Sequence, residues 1–259
     1  MKRAAVIGHP IAHSRSPELF ARFARATGIA LEYRAVDVTP EALAAALDAW
    51  RNDAEFVGCN VTLPHKERAL ALADRVEPTA AQCGAANVLT RDGGALVAAN
   101  TDVEGIEGAL RAHGVTLNGK QVAILGTGGA ARAAAEAARR SGASSIAIAG
   151  RNAERAARLA ADFGGRACGL DAVPRADVYV QTTPLGMTGQ EQISLLPADA
   201  PAAAVAFDVV YTPATTPFLT DARARGMLAI GGETMFVEQA AATFARWFGV
   251  RPATTGAVA

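Results

Sequence analysis

QVAILGTGGAARAAAEAARRSGASSIAIAGRN, residues 121–152, decides the architecture. An apolar run, Val122–Leu125, meets the glycine turn Gly126-Thr127-Gly128-Gly129-Ala130-Ala131; a long Ala-rich stretch and a second apolar run ending at Gly150 follow. Strand, turn, helix and strand in that order make a βαβ unit, and in this setting the G-x-G-x-x-A spacing is a dinucleotide-binding fingerprint. Glycine lets the backbone approach a pyrophosphate closely, while the helix start offers unpaired N–H groups and a positive dipole end. At the end of the second strand a carboxylate would bind a ribose 2'-hydroxyl, whereas an arginine accommodates a 2'-phosphate. Here the strand ends in Gly150-Arg151-Asn152, with Arg155 one turn on and Glu154 between them. Arg151 is suited to stack on adenine while donating to phosphate, so the reading favours NADP over NAD.

The same rhythm continues on both sides. Downstream, NAERAARLAADFG (152–164) reads as a helix, and DVYVQTT (177–183), AVAFDVVY (204–211) and MLAIGG (227–232) read as strands. Upstream, RAAVIG (3–8), LEYRAVDV (31–38) and EFVGCNVT (55–62) read as strands. Helices are expected from Ser16-Pro17, over PEALAAALDAWRN (40–52) and over HKERALALADRV (65–76). GAANVLTRDGGALVAANTD (84–102) breaks the pattern, since two β-prone runs flank Asp92-Gly93-Gly94, and an antiparallel edge hairpin is expected. The boundary between two domains should fall on the helix VEGIEGALRAHG (103–114). The last stretch, TMFVEQAAATFARWFG (234–249), sets Met235, Val237, Ala240, Ala241, Phe244 and Phe248 near one helical face and should return to the first domain. The expected fold is α/β: an N-terminal substrate and catalytic domain (1–103) with a mostly parallel sheet, a Rossmann-type NADP-binding domain (104–234), and a C-terminal helical segment (235–259) packing on the first.

Composition agrees with a globular protein acting on something small. The 259 residues suit two domains of ordinary size. With 25 basic and 25 acidic side chains the net charge is zero, so no overall field recruits nucleic acid or an anionic membrane. The short apolar run near the N-terminus is below signal-peptide length and no stretch reads as a membrane span, so a cytoplasmic location is expected. Cys59, Cys83 and Cys168 lack CxxC spacing and read as inert thiols, and His9, His13, His65 and His113 lack ligand spacing, so no metal is expected. A monomer and a homodimer both fit.

Polar residues gather at the ends of the upstream strands, where open α/β sheets place ligands: His13-Ser14-Arg15-Ser16, Asn60-Val61-Thr62 through Lys66, and Asn100-Thr101-Asp102. Oxidising a secondary alcohol needs a group that takes the hydroxyl proton, and a held lysine amine can do so. Lys66 and Asp102 are the candidates for such a pair, in the company of Thr62, Asn87 and Asn100. Ser14 and Ser16 have two readings, as hydroxyl donors to a substrate carboxylate and as a helix-capping sequence.

Together GHPIAHSRSP, NVTLPHKE, GAANVL, NTDVEG, GTGGAAR, GRN, DVVY with TPF, and MFVEQAA resemble the shikimate dehydrogenase family in order and spacing, over nearly the whole chain. The resemblance implies that Lys66 and Asp102 are the catalytic pair, with Lys66 the general acid/base. It implies that Ser14, Ser16, Thr62, Asn87, Tyr211 and Gln239 contact shikimate or 3-dehydroshikimate. It also implies NADP contacts from Gly126, Thr127, Gly128, Gly129, Ala130, Arg151, Asn152, Arg155, Val209, Gly232 and Met235. Two positions depart from the family pattern: His65, where Phe or Tyr is common, and Gln181, where Asn is usual. His65 is open to two roles, a packing ring and a titratable neighbour of Lys66. Two rival activities remain, a quinate/shikimate dehydrogenase using NAD or NADP and a non-catalytic NADP-binding regulator. Ser16 and Arg151 speak against the first, and intact Lys66, Asp102, Ser14 and Gln239 speak against the second.

Overall fold

The alternating apolar and amphipathic stretches become strands and helices in a computed structural model whose described residues are 1–255. The last residues of the expected C-terminal segment, 256–259, lie outside them. Two compact units result: Met1–Asp102 joined by the stretch from Val237 onward, and Val103–Phe236.

The first unit runs β1 (Lys2–Gly8), α1 (Ser16–Thr27), β2 (Leu31–Asp37), α2 (Leu43–Arg51), β3 (Phe56–Val61), α3 (Lys66–Leu72), β4 (Arg75–Val76), α4 (Pro78–Cys83), β5 (Val88–Asp92) and β6 (Ala95–Ala99). Its sheet has the order β2-β1-β3-β5-β6-β4. The first three strands are parallel, as expected where helices connect them, and β5 and β6 form the hairpin, with β5 antiparallel both to β3 and to β6. The hairpin is not the sheet edge. Residues 73–76, read from sequence as the end of a helix, leave α3 and pair β4 alongside β6. Asp74 explains the break, because its N–H donates to Leu96 O at 2.9 Å while its Oδ2 accepts from Leu96 N–H at 2.7 Å. Two long-range hydrogen bonds outweigh the few tenths of a kcal/mol per residue that favour continuing the helix.

The second unit begins inside α5 (Asp102–Ala112), at Val103, and continues β7 (Gln121–Leu125), α6 (Gly129–Arg140), β8 (Ser145–Ala149), α7 (Ala153–Asp162), β9 (Arg166–Cys168), β10 (Val178–Gln181), β11 (Val205–Asp208), α8 (Pro217–Ala224) and β12 (Leu228–Ile230). Every strand pair is parallel, in the order β12-β11-β10-β7-β8-β9. The chain winds outward from β7 in one direction and from β10 in the other, so the sheet is doubly wound with its switch point between those two strands. The Ala-rich composition has a packing reason: Ala131, Ala133, Ala134, Ala135, Ala137 and Ala138 of α6 are all buried, and their small side chains let the helix lie close on the sheet.

Helix α9 (Glu233–Phe248) has its first turn in the second unit and the rest in the first. Phe244 is fully buried, with its ring centroid 6.2 Å from Phe20 and 5.8 Å from Phe23 of α1. Trp247 lies 5.5 Å from Phe20, and Arg246 holds the Glu77 carboxylate with both terminal nitrogens. Among the described residues no helix is long and apolar enough to cross a membrane, and no group of His, Cys, Asp or Glu is placed to hold a metal ion.

Candidate functional site

Sheet register builds the polar centre of the first unit. Asn60 pairs with Val88 across β3 and β5, and Val88 pairs with Ala99 across β5 and β6. The residues flanking these pairs, Asn87 and Asn100-Thr101-Asp102, therefore meet at the end of the sheet where β3 finishes. Lys66 starts α3 immediately beyond, and its carbonyl accepts from Ala86 N–H at 2.9 Å.

Lys66 Nζ donates to Asp102 Oδ2, with both side chains largely withdrawn from solvent, 15% and 7% exposed. Asn87 Nδ2 donates to Asp102 Oδ1 at 2.8 Å and to Thr101 Oγ1 at 3.0 Å, while Asn87 Oδ1 accepts from Thr101 N–H at 2.7 Å. Asn100 spans the turn, accepting from Asp102 N–H at 3.0 Å and donating to Ala85 O at 2.9 Å. Each Asp102 oxygen thus has its own donor, and the carboxylate holds the amine at a defined place rather than at a mobile surface position. The chain can present a proton-accepting amine beside a fixed carboxylate.

The other expected substrate contacts are placed as follows. Ser14 and Ser16 lie where the β1–α1 loop enters α1; Ser16 is buried, and Ser14 Oγ accepts from Ser16 N–H at 3.3 Å. The capping reading is not met: the residue at the helix boundary is Arg15, which makes no side-chain cap, Ser16 is already the first helical residue, and the Ser14 bond is a local turn preceding the helix. Thr62 follows β3 against Gly8, where an added Cβ would come 2.6 Å from Thr62 Cγ2. Gln239 is half-buried on α9, and in the second unit Tyr211 stacks on Phe236 with centroids 4.5 Å apart.

The two departures prove to be structural. His65 is 1% exposed and its Nε2 bonds Val38 O at 2.6 Å, so the ring ties the start of α3 to the chain beyond β2. Gln181 makes four bonds within its own loop, from Nε2 to Thr183 O and Leu185 O and to Oε1 from the Thr183 amide and hydroxyl. Burial pushes the Cys59 and Cys168 thiols up, away from the reactive thiolate.

In the second unit the glycine turn sits at the carboxyl end of β7, beside β10. Gly126 has φ +130°, and a Cβ there would meet Thr182 Oγ1 at 2.3 Å. Gly128 differs. Its φ of −92° suits any residue, and an added Cβ would meet nothing within 4 Å. Protein packing therefore makes no demand for glycine at 128; what a side chain would obstruct is a ligand approaching the start of α6. That open cradle, with Gly129 and Ala130 beginning the helix and Thr127 preceding it, fits a pyrophosphate. Arg151 is exposed and free of ion pairs among the described residues. Arg155 is also exposed, and Asn152 caps α7 by accepting from Arg155 N–H at 2.9 Å. Glu154, the carboxylate nearest the strand end, pairs with Arg158. Val209 and Gly232 are in close apposition, since a Cβ on Gly232 would lie 2.3 Å from Val209 O, and Met235 is buried on α9.

Asp208, at the end of β11, is not marked out by its residue type. It is fully buried, its Oδ1 accepts from Val210 N–H at 2.9 Å, and its Oδ2 accepts from Thr216 Oγ1 at 2.6 Å. It braces the loop that carries Val209 and Tyr211. Burial pushes its carboxyl up from 3.8 to about 6, against the pull of both hydrogen bonds. The native state therefore binds this proton more tightly than the unfolded chain, and the stability it contributes is complete below about pH 4 and lost as pH rises through about 6. Asp208→Asn stays neutral throughout, so wild type should lose about 3 kcal/mol more than the variant between about pH 4 and 7.5 in urea unfolding. Parallel pH profiles would contradict this.

A doubly wound nucleotide unit and a lysine–carboxylate pair held at a sheet end define a dinucleotide-dependent dehydrogenase. Comparison with known proteins narrows the class. The profile described as Shikimate dehydrogenase substrate binding domain matches residues 6–89, and that described as Shikimate / quinate 5-dehydrogenase matches residues 107–184. The chain is 43% identical over 265 residues to the shikimate dehydrogenase (NADP(+)) of Acidiphilium cryptum, covering 98% of this chain and 93% of that protein. It is 41% identical over 262 residues to that of Mesorhizobium japonicum, with 98% and 93% covered. The crystal structure of shikimate 5-dehydrogenase from Thermus thermophilus in complex with NADP(H) and shikimate superposes with a TM-score of 0.92 at 39% identity, covering 99% and 97% of the two chains. This chain belongs to the shikimate dehydrogenase family.

Proposed function

We propose that this protein catalyses the reversible NADPH-dependent reduction of 3-dehydroshikimate to shikimate. The observation that carries the reading is the Lys66–Asp102–Asn87 cluster, which holds a proton-transferring amine at the sheet end where open α/β sheets receive their ligands. In the direction of shikimate oxidation, the Lys66 amine accepts the proton of the reacting hydroxyl while Asp102 keeps the amine aimed at it. The dinucleotide, when bound, supplies the acceptor for the hydride that leaves the same carbon. Ser14 and Ser16 hydrogen-bond the ring carboxylate, and Thr62, Asn87, Tyr211 and Gln239 orient the ring. Gly126 to Ala130 receive the pyrophosphate, Arg151, Asn152 and Arg155 surround the adenosine 2'-phosphate, and Val209, Gly232 and Met235 line the nicotinamide.

A second reading, oxidation of quinate, is favoured by the description of the profile that matches residues 107–184. Steady-state kinetics with shikimate and quinate, each with NADP and NAD, separates the two. The highest kcat/KM is expected for shikimate with NADP; a higher value for quinate, or for NAD, would replace the proposal. The proposed setting is the cytoplasm, as a monomer or homodimer, which cell fractionation and light scattering test.

A further inference from the structure

The hydrogen bonds around Asp102 do not stop at Asn87. Thr101 Oγ1, which accepts from Asn87 Nδ2, lies 3.1 Å from Thr243 Oγ1 on α9. Thr243 is fully buried, accepts from Asn60 Nδ2 at 3.1 Å and donates to Gln239 O at 3.1 Å. Asn60 Oδ1 in turn accepts from Tyr33 Oη at 2.9 Å. One placement of protons joins these contacts into a single chain. With the Thr243 hydrogen donated to the Gln239 carbonyl, the hydrogen shared with Thr101 comes from Thr101. Thr101 Oγ1 is then left as the acceptor for one Asn87 amide hydrogen, and the other goes to Asp102. Asn87 Oδ1 accepts the Thr101 N–H, which forbids the flipped carboxamide.

We propose that Thr243 is a positioning residue for the Lys66–Asp102 pair: its hydroxyl, as acceptor for Thr101, sets the Asn87 carboxamide that holds Asp102. Without that acceptor, the Thr101 hydroxyl has a competing partner in Asn87 Oδ1, 3.3 Å away, and turning to it removes its lone pair from Asn87 Nδ2. The carboxamide then loses one of the two anchors that aim its other hydrogen at Asp102. The same threonine ties the backbone of Gln239 into the network, so one buried hydroxyl serves both the proton-transferring pair and a residue assigned to the substrate.

This inference rests on the proposed assignment of Lys66 and Asp102, and its test keeps the two apart. Thr243→Val preserves shape and removes the hydroxyl, and Thr243→Ser restores the hydroxyl. In the valine variant kcat for shikimate with NADP should fall about tenfold, and KM for shikimate should rise as well, because Asn87, whose carboxamide the hydroxyl sets, is also assigned to the ring. NMR should show the Asn87 side-chain amide hydrogens exchanging with solvent about tenfold faster, and the serine variant should recover both values to within about threefold of wild type. An unchanged kcat, an unchanged Asn87 amide, or a serine variant as impaired as the valine one overturns the proposal. If wild type failed to oxidise shikimate, the functional reading would fall instead, and the amide exchange, which needs no substrate, would still decide whether Thr243 sets Asn87.

Discussion

Lys66→Met is expected to lower kcat for shikimate oxidation by about three orders of magnitude while leaving NADP affinity within about twofold. Methionine keeps the length and apolar body of the lysine stem, so the change is confined to the amine. Without the amine, no group bonded to Asp102 Oδ2 in the structure can take the hydroxyl proton, and general acid–base catalysis of this kind supplies about 10²- to 10⁴-fold. Asp102 keeps its bond from Asn87 Nδ2, which limits the cost of leaving a largely buried carboxylate without its counter-charge. NADP affinity is spared because the proposed dinucleotide contacts all belong to the other unit. Rates and NADP titration on a variant shown to be folded by circular dichroism decide the matter; a kcat above about a tenth of wild type would remove Lys66 from the proton-transfer role.

Arg151→Ala is expected to weaken NADP binding by about 10- to 100-fold and NAD binding by less than about threefold. A hydrogen bond to a charged group contributes about 1.5–3 kcal/mol, and only NADP carries the 2'-phosphate that would receive it. The position is favourable for a clean measurement, because Arg151 is exposed and lies in the loop between β8 and α7, so its removal leaves the fold intact. Calorimetry with each dinucleotide reads the difference directly. Equal losses for both would assign Arg151 to adenine stacking or to the shared pyrophosphate.

The parts of the fold legible in sequence share a physical character: their signal is local. The strand–turn–helix at 121–140 announces itself because apolar runs, glycines and an Ala-rich helix are contiguous. Gly93-Gly94 between β-prone runs marks the hairpin for the same reason. Lys66, Asp102 and Asn87 are legible as polar residues following strand ends, supported by the resemblance of their surrounding motifs to a family. Asp208 and Thr243 carry no comparable signal. Asp208 looks like any acid after a strand, and its role exists only because Thr216 and Val210 fold back to it. Thr243 interrupts an apolar face with a residue of ordinary helical frequency, and its partners Asn60 and Thr101 are 183 and 142 positions away.

The sequence by itself determined the alternation of strands and helices, the glycine turn at 126–129 and the arginine beyond the second strand of that unit, because each depends on neighbours within a few residues. Only the tertiary structure decided that 73–76 leave a helix to pair with β6, that His65 packs under Val38 O, and that Gly128 opens on space. Those outcomes turn on hydrogen bonds and clearances between segments far apart in the chain, whose free energies appear only once the sheet register has brought them together.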